Sequence, residues 1–318
     1  MKKKKRNQNF LRKIKMIKVL SLKEPFATLI KAGIKKVETR SWQTSYRGEL
    51  YIHASISRSS INEKNTEFQK LIKDLEYQPS YIICKCNLID CIYMTKEYIE
   101  NIKKTNYQEY LCGDYKEGRY AWILENIEPL SIPIKAKGQL NIWNFYSINE
   151  IMTLMDNIEY GWLDQNNNQH NLIDNTYQDN YILETPQEVM KNKIGVCWDQ
   201  VELERYYLRS HDLNIKTYFL VYYDNDKFPT HTFLTYEKDN KYYWMEHAWM
   251  KFKGIHEYSS KKELLTDVKN KFIINELKNH CTLENLILYE YKKTKYHIST
   301  QEFFKHCESD QQIEIEKE

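Results

Sequence analysis

Cys197, His231 and Glu246 are residue types that together perform nucleophilic chemistry. A thiolate attacks a carbonyl carbon, an imidazole carries the proton, and a carboxylate fixes the imidazole tautomer. Cys197 stands in Gly195-Val-Cys-Trp-Asp-Gln200, after a glycine and ahead of a helix-patterned run that reaches Leu208. A thiol in the first turn sits at the positive end of the helix dipole, which favours its thiolate. His231 and Glu246 fall in two strand-like segments, 230–236 and 241–248, on either side of Glu237-Lys-Asp-Asn240. A four-residue turn there sets Tyr236 opposite Lys241, and counting outward sets His231 opposite Glu246. Opposed residues share a face, with Cβ atoms about 4.5–5.5 Å apart. A slip of one residue would separate them. His247 points away in this register and ranks below His231 as the base. On spacing alone, a structural cysteine and a surface His–Glu pair fit the same residues. The chemistry needs no metal, and no cofactor is expected.

A second constellation lies near the N-terminus. Lys35, Glu38 and Arg40 fall within six residues, followed by Trp42. On a strand, Glu38 and Arg40 share one face. One carboxylate between two cations could edge a cleft for a phosphate or a base, and Trp42 could stack that base. On spacing alone, a surface Glu–Arg pair beside a core tryptophan is the better fit.

The chain has 318 residues, 42% hydrophobic and 29% charged, which suits two soluble domains. No stretch reaches the roughly 18 apolar residues of a membrane helix. No secretory signal is recognised after the basic start, so a cytoplasmic location is expected. The seven cysteines form no Cys-x-x-Cys pair, which argues against a disulfide framework or a four-ligand zinc site. Charge is uneven. Residues 1–15 carry eight Lys/Arg and no acid, residues 16–148 carry nineteen against fifteen acids, and the remainder carries twenty against twenty-nine. The basic half could meet phosphates; the acidic half would repel them.

The elements that must position these groups divide into two sets. Residues 1–15 read as a disordered basic tail. Residues 16–148 hold short strands with few helices, the pattern of a small barrel. Pro25 opens a helix that Gly33 stops. Ser147 and Glu150 have capping-box spacing for a linking helix, and a polar loop completes a linker over 149–179. Residues 180–310 read as a mixed α+β domain, and 311–318 as a frayed acidic tail.

Two resemblances extend this reading. Leu20-Ser-Leu22, Pro25-Phe-Ala27, Gly33-x-Lys35-x-x-Glu38-x-Arg40, Asn87–Cys91 and Gly138–Trp143 resemble the ASCH domain family. That resemblance implies a PUA-like β-barrel over 16–148 that binds RNA or other nucleic acid, with Lys35, Glu38 and Arg40 lining its cleft. The threonine of acetylcytidine-hydrolysing members falls at Glu38 here, so a binding module is implied. Gly195–Leu203, Thr230–Phe233 and Tyr243–Trp249 resemble a transglutaminase-like, papain-like domain. That implies a Cys197–His231–Glu246 triad, with Glu in place of the usual Asp, acting on a protein or peptide amide as hydrolase or acyltransferase. Trp198, Trp244 and Trp249 are candidate cleft walls. The alternative is a non-enzymatic RNA-binding adaptor whose second domain is only a scaffold.

Overall fold

The computed structural model describes residues 15–174, 176–224, 228–278 and 280–313. The chain divides into two compact units. One ends at Tyr146 and takes in Ser210–Asp212; the other holds Ser147–Arg209 and the rest.

In the first unit, alternating burial marks β1 (Ile17–Glu24), which leads into α1 (Phe26–Lys31). Gly33 follows with φ +72°, a left-handed turn that favours glycine. β2 (Val37–Arg40), β3 (Gly48–Arg58), α2 (Thr66–Ile72), β4 (Tyr81–Tyr93), α3 (Lys96–Thr105), α4 (Tyr107–Leu111), β5 (Tyr120–Lys135) and β6 (Ile142–Phe145) complete it. The sheet order is β2-β5-β4-β3-β1-β6. β1 and β3 run parallel and the other neighbours antiparallel. The expected closed barrel is not found: among the described residues the ladder stays open, with β2 and β6 at its edges. β2 and β3 are consecutive in the chain yet do not pair, because β2 joins β5. Leu20, Ile52, Ile83 and Trp122 centre the core.

The second unit begins with α5 (Ile148–Met155), where Ser147 and Glu150 make a complete capping box. This helix packs against a later helix of its own unit instead of standing apart as a linker. The expected polar loop contains β7 (Trp162–Leu163) paired with β8 (Gln169–His170), and α6 (Tyr177–Asn180). Next come α7 (Pro186–Asn192) and α8 (Cys197–Leu208). β9 (Asn214–Tyr222), β10 (Thr230–Lys238), β11 (Lys241–Glu246), β12 (Gly254–Tyr258), α9 (Lys261–Asn275), β13 (Leu286–Tyr291), α10 (Thr300–Glu308) and β14 (Gln311–Ile313) follow. Their antiparallel sheet has the order β12-β11-β10-β9-β13-β14. Residues 311–313, expected to be frayed, pair with β13, whereas 314–318 and the basic tail up to residue 14 lie outside the described residues.

β9 is buried on both faces. Leu220 packs with Leu264, Val268 and Phe272 of α9. Phe219, pointing the other way, meets Trp198 and Phe303, which stack at 4.2 Å.

The β10–β11 turn differs from the expected four residues. Lys238 pairs with Lys241, so Asp239-Asn240 alone turns the chain, with φ +52° and +61°. Two positive φ values are the signature of a type I′ turn, whose twist matches antiparallel strands and which Asp and Asn tolerate. Asn240→Val would force a β-branched residue into the left-handed region and should cost about 1–2 kcal/mol. Urea unfolding at equal m-value checks this as a lowered midpoint.

Candidate active site and cleft

Extending the observed β10–β11 register sets Phe233 opposite Glu246, with His231 two residues further along. The slip from the expected pairing is even, so His231 and Glu246 still share a face. They are diagonal neighbours, about 7–8 Å apart at Cα, a span that long side chains cover. Glutamate reaches one methylene further than aspartate. His231 Nε2–H donates to Glu246 Oε2 at 2.8 Å, and Glu246 Oε1 accepts the Trp249 N–H at 2.7 Å. Both side chains are buried. With Nε2 engaged, Nδ1 is the ring nitrogen left for Cys197, which is near enough to act on the imidazole. Burial opposes a charge on His231, but the Glu246 carboxylate and the Cys197 side chain outweigh it and hold its proton well above the ordinary range.

Cys197 is the first residue of α8 and 5% exposed. The helix starts here because Asp199 accepts the Val196 N–H at 3.0 Å, the reciprocal half of a capping box. Gly195 allows close approach: a Cβ there would stand 2.9 Å from Asp199 Cβ. Asp199 also accepts from Tyr181 Oη and the Glu184 N–H, and burial raises its carboxyl to about 7. The described cysteines are all free. Burial pushes Cys86 and Cys112 to about 12 and lifts Cys84 and Cys307 as well.

His247 does turn away from the His231–Glu246 pair. Its Nδ1–H donates to Gln200 Oε1 at 2.6 Å, and burial lowers the imidazole to about 4. Of the three tryptophans, only Trp249 lies against the site, with its ring 4.8 Å from His231. Trp198 and Trp244 are core residues, 2% and 0% exposed. Sequence reasoning missed three groups. Tyr160 follows Glu159, which bridges Ile194, and its phenol is raised first by burial and then by Cys197, with no local signal in the sequence. Asp199 was readable as the helix-start acid. Glu204 stands seven residues after Cys197, two turns along one helix face, and could have been flagged. Glu204 is buried, its Oε2 has no partner, and burial first, then Glu246, raises its carboxyl strongly.

In the first unit, Glu38 and Arg40 project together from β2, with Arg40 Nε 3.1 Å from Glu38 Oε1. They line a cleft of about 720 Å³ with Ser21, Lys23, Phe26 and His53. Lys35 does not line it. Its side chain is fully buried, donating to the Cys112 carbonyl at 2.7 Å and to the Val37 carbonyl, 3.4 Å from Glu38 Oε2. The loop before β2 turns this lysine inward, where it ties α4 to β2 and braces Glu38. Trp42 is also outside the cleft lining; it packs edge-on against Trp122, with centroids 4.6 Å apart.

The ASCH domain model matches residues 20–134. Those residues form an ASCH domain. The chain is 31% identical over 136 residues to activating signal cointegrator 1 of Mus musculus and 30% identical to that of Homo sapiens. Each match covers 40% of this chain and 22% of the relative, so the chain spans about a fifth of the curated relatives it matches. A crystal structure of a mutant ASCH protein from Zymomonas mobilis is 20% identical. It covers 37% of this chain and 74% of its own, with a TM-score of 0.25. Among the described residues no helix is long and apolar enough to cross a membrane.

Glu204 generates a pH prediction. The folded chain keeps the Glu204 proton after the unfolded chain has released it near pH 4.3, so rising pH destabilises the fold by up to about 1.4 kcal/mol per unit. Glu204→Gln should flatten this loss between pH 5 and 7.5, measured by urea midpoints. Equal slopes in the two proteins would refute it.

Proposed function

We propose that the second unit is a thiol-dependent amide hydrolase or acyltransferase of transglutaminase-like chemistry, joined to an ASCH module that binds RNA. The observation that carries the enzyme reading is the buried hydrogen bond of His231 Nε2 to the Glu246 carboxylate, on a strand packed against the helix that Cys197 begins.

Chemistry follows from that arrangement. The Cys197 proton passes to His231, and Glu246 stabilises the imidazolium. The thiolate adds to an amide carbonyl of a protein or peptide. His231 returns the proton to the leaving amine, and a thioester remains on Cys197. Water or a second amine then resolves it. The half-buried Trp249 shields the imidazole from one side.

Cys197→Ala should abolish turnover, and iodoacetamide should label Cys197 first near neutral pH. Cys91 and Cys281, the half-buried thiols, are the competitors and are best replaced by serine. Peptide mapping gives the order of labelling. If Cys197 reacts only after denaturation, or Cys197→Ala behaves as the parent, the second unit is a scaffold and the chain an adaptor.

RNA binding is proposed for the ASCH domain because Arg40, Lys23 and Glu38 share a cleft with the apolar ring of Phe26. Phosphate contacts make such binding salt-dependent. Arg40→Ala should weaken RNA binding and lower the magnitude of the log K against log[salt] slope by about 1. Filter binding across a salt series measures this; unchanged affinity and slope would count against the cleft.

A further inference from the structure

The cleft of the first unit sets an acceptor beside a donor and carries apolar side chains at its rim. Glu38 is 6% exposed and lines the cleft. Lys35 holds its Oε2 from within at 3.4 Å, and Arg40 Nε stands 3.1 Å from its Oε1. Each carboxylate oxygen has two lone pairs, so one cation apiece leaves one free on each. Arg40 Nη2 donates to the Ser21 carbonyl at 3.1 Å, which ties the guanidinium of β2 to β1. Among the described residues Arg40 Nη1 makes no hydrogen bond, so its N–H groups stand ready beside the carboxylate. Ile56 on β3 and Leu140 after β5 line the same cleft and are 79% and 89% exposed. Bare aliphatic side chains over a polar floor suit a ligand with flat apolar faces and a polar edge. About 720 Å³ is room for one nucleotide.

We propose that this cleft reads one unpaired guanine of an RNA strand, with Glu38 accepting its N1–H and N2–H and Arg40 donating to its O6. This rests on the RNA-binding reading above and names the base. Among the unmodified RNA bases, only guanine sets two N–H donors side by side on its Watson–Crick edge. Its O6 follows next along that edge, where the neighbouring guanidinium supplies the donor. Uracil has a single donor between two acceptors, and adenine and cytosine set one amine beside an acceptor. Each of these would turn a lone pair toward a lone pair of Glu38, a desolvated acceptor left without a donor. Base pairing occupies the same edge, so the guanine must be unpaired, as in the single-stranded segments that proteins read. Ile56 and Leu140 then cover the ring faces, and Lys23 stands in the same cleft for a flanking phosphate.

The test uses the full chain and short fluorescein-labelled oligouridylates that carry one central guanosine, inosine, adenosine or cytidine. Fluorescence anisotropy at one fixed salt concentration gives their affinities. The guanosine strand should bind about 10-fold or more tighter than the adenosine, cytidine and all-uridine strands. Inosine keeps N1–H and O6 but lacks the N2 amine, and should lose about 5-fold or more against guanosine. Glu38→Gln, with one acceptor and one donor in place of two acceptors, should bring the guanosine-to-adenosine ratio within about threefold of one. Equal affinity of the parent for guanosine, inosine and adenosine strands overturns the proposal and leaves RNA binding standing. Binding to none of the strands sinks the RNA reading and the guanine site with it. If Glu38→Gln fails to fold by circular dichroism, the inosine comparison in the parent decides. GMP as competitor separates the two sources of guanine. A guanosine preference that millimolar GMP does not displace supports a base held within RNA. Displacement by GMP as strong as by the guanosine strand overturns that source in favour of a free nucleotide.

Discussion

The bond between His231 Nε2 and Glu246 Oε2 depends on parity in one hairpin. Both residues must face the same way from neighbouring strands, and side-chain direction alternates at every residue. The two-residue Asp239-Asn240 turn sets the register. An even slip leaves the pair on one face but converts a directly opposed contact into a diagonal one. A side chain as long as glutamate closes that diagonal, and the Trp249 N–H holds its second oxygen. The sheet positions His231, and α8, packed against β10, brings Cys197 to it.

Charge around the proposed thiol site is managed by burial. Glu204 beside the pair, and Asp199 at the helix start, are pushed toward their neutral forms. A second carboxylate next to Glu246 would be costly at low dielectric, so a retained proton removes the repulsion. His247 is kept neutral and spent on Gln200, whose amide N–H also donates to the Gly195 carbonyl at 2.8 Å. That chain of bonds braces the backbone just before Cys197. The helix start is thus held by Asp199 from one side and Gln200 from the other.

The ASCH domain divides a similar set of charges between structure and surface. Lys35, Glu38 and Arg40 belong to one motif, yet burial separates their roles. Lys35 satisfies two carbonyls inside the fold, Glu38 bridges the two cations, and Arg40 reaches the cleft and donates to the Ser21 carbonyl. Removing Lys35 would leave Glu38 buried beside one cation instead of two, a cost to folding before any cost to binding.

Much of the local structure was legible in the residues. Gly33 as a helix stop, the Ser147–Glu150 capping box and the start of α8 after Gly195 follow from backbone and capping chemistry that acts within a few residues. The ASCH domain was recognisable by the resemblance of Gly33 to Arg40 and the segments around it to that family. The position of Tyr160, the inward turn of Lys35 and the open edges of the first sheet were not. Each depends on segments far apart in sequence: Glu159, beside Tyr160, bridges Ile194, and Lys35 meets the Cys112 carbonyl 77 residues away. Spacing carries direction along one element, because helix and strand periods are fixed. Burial and partner choice depend on what packs from elsewhere, and that is decided only when the chain is folded.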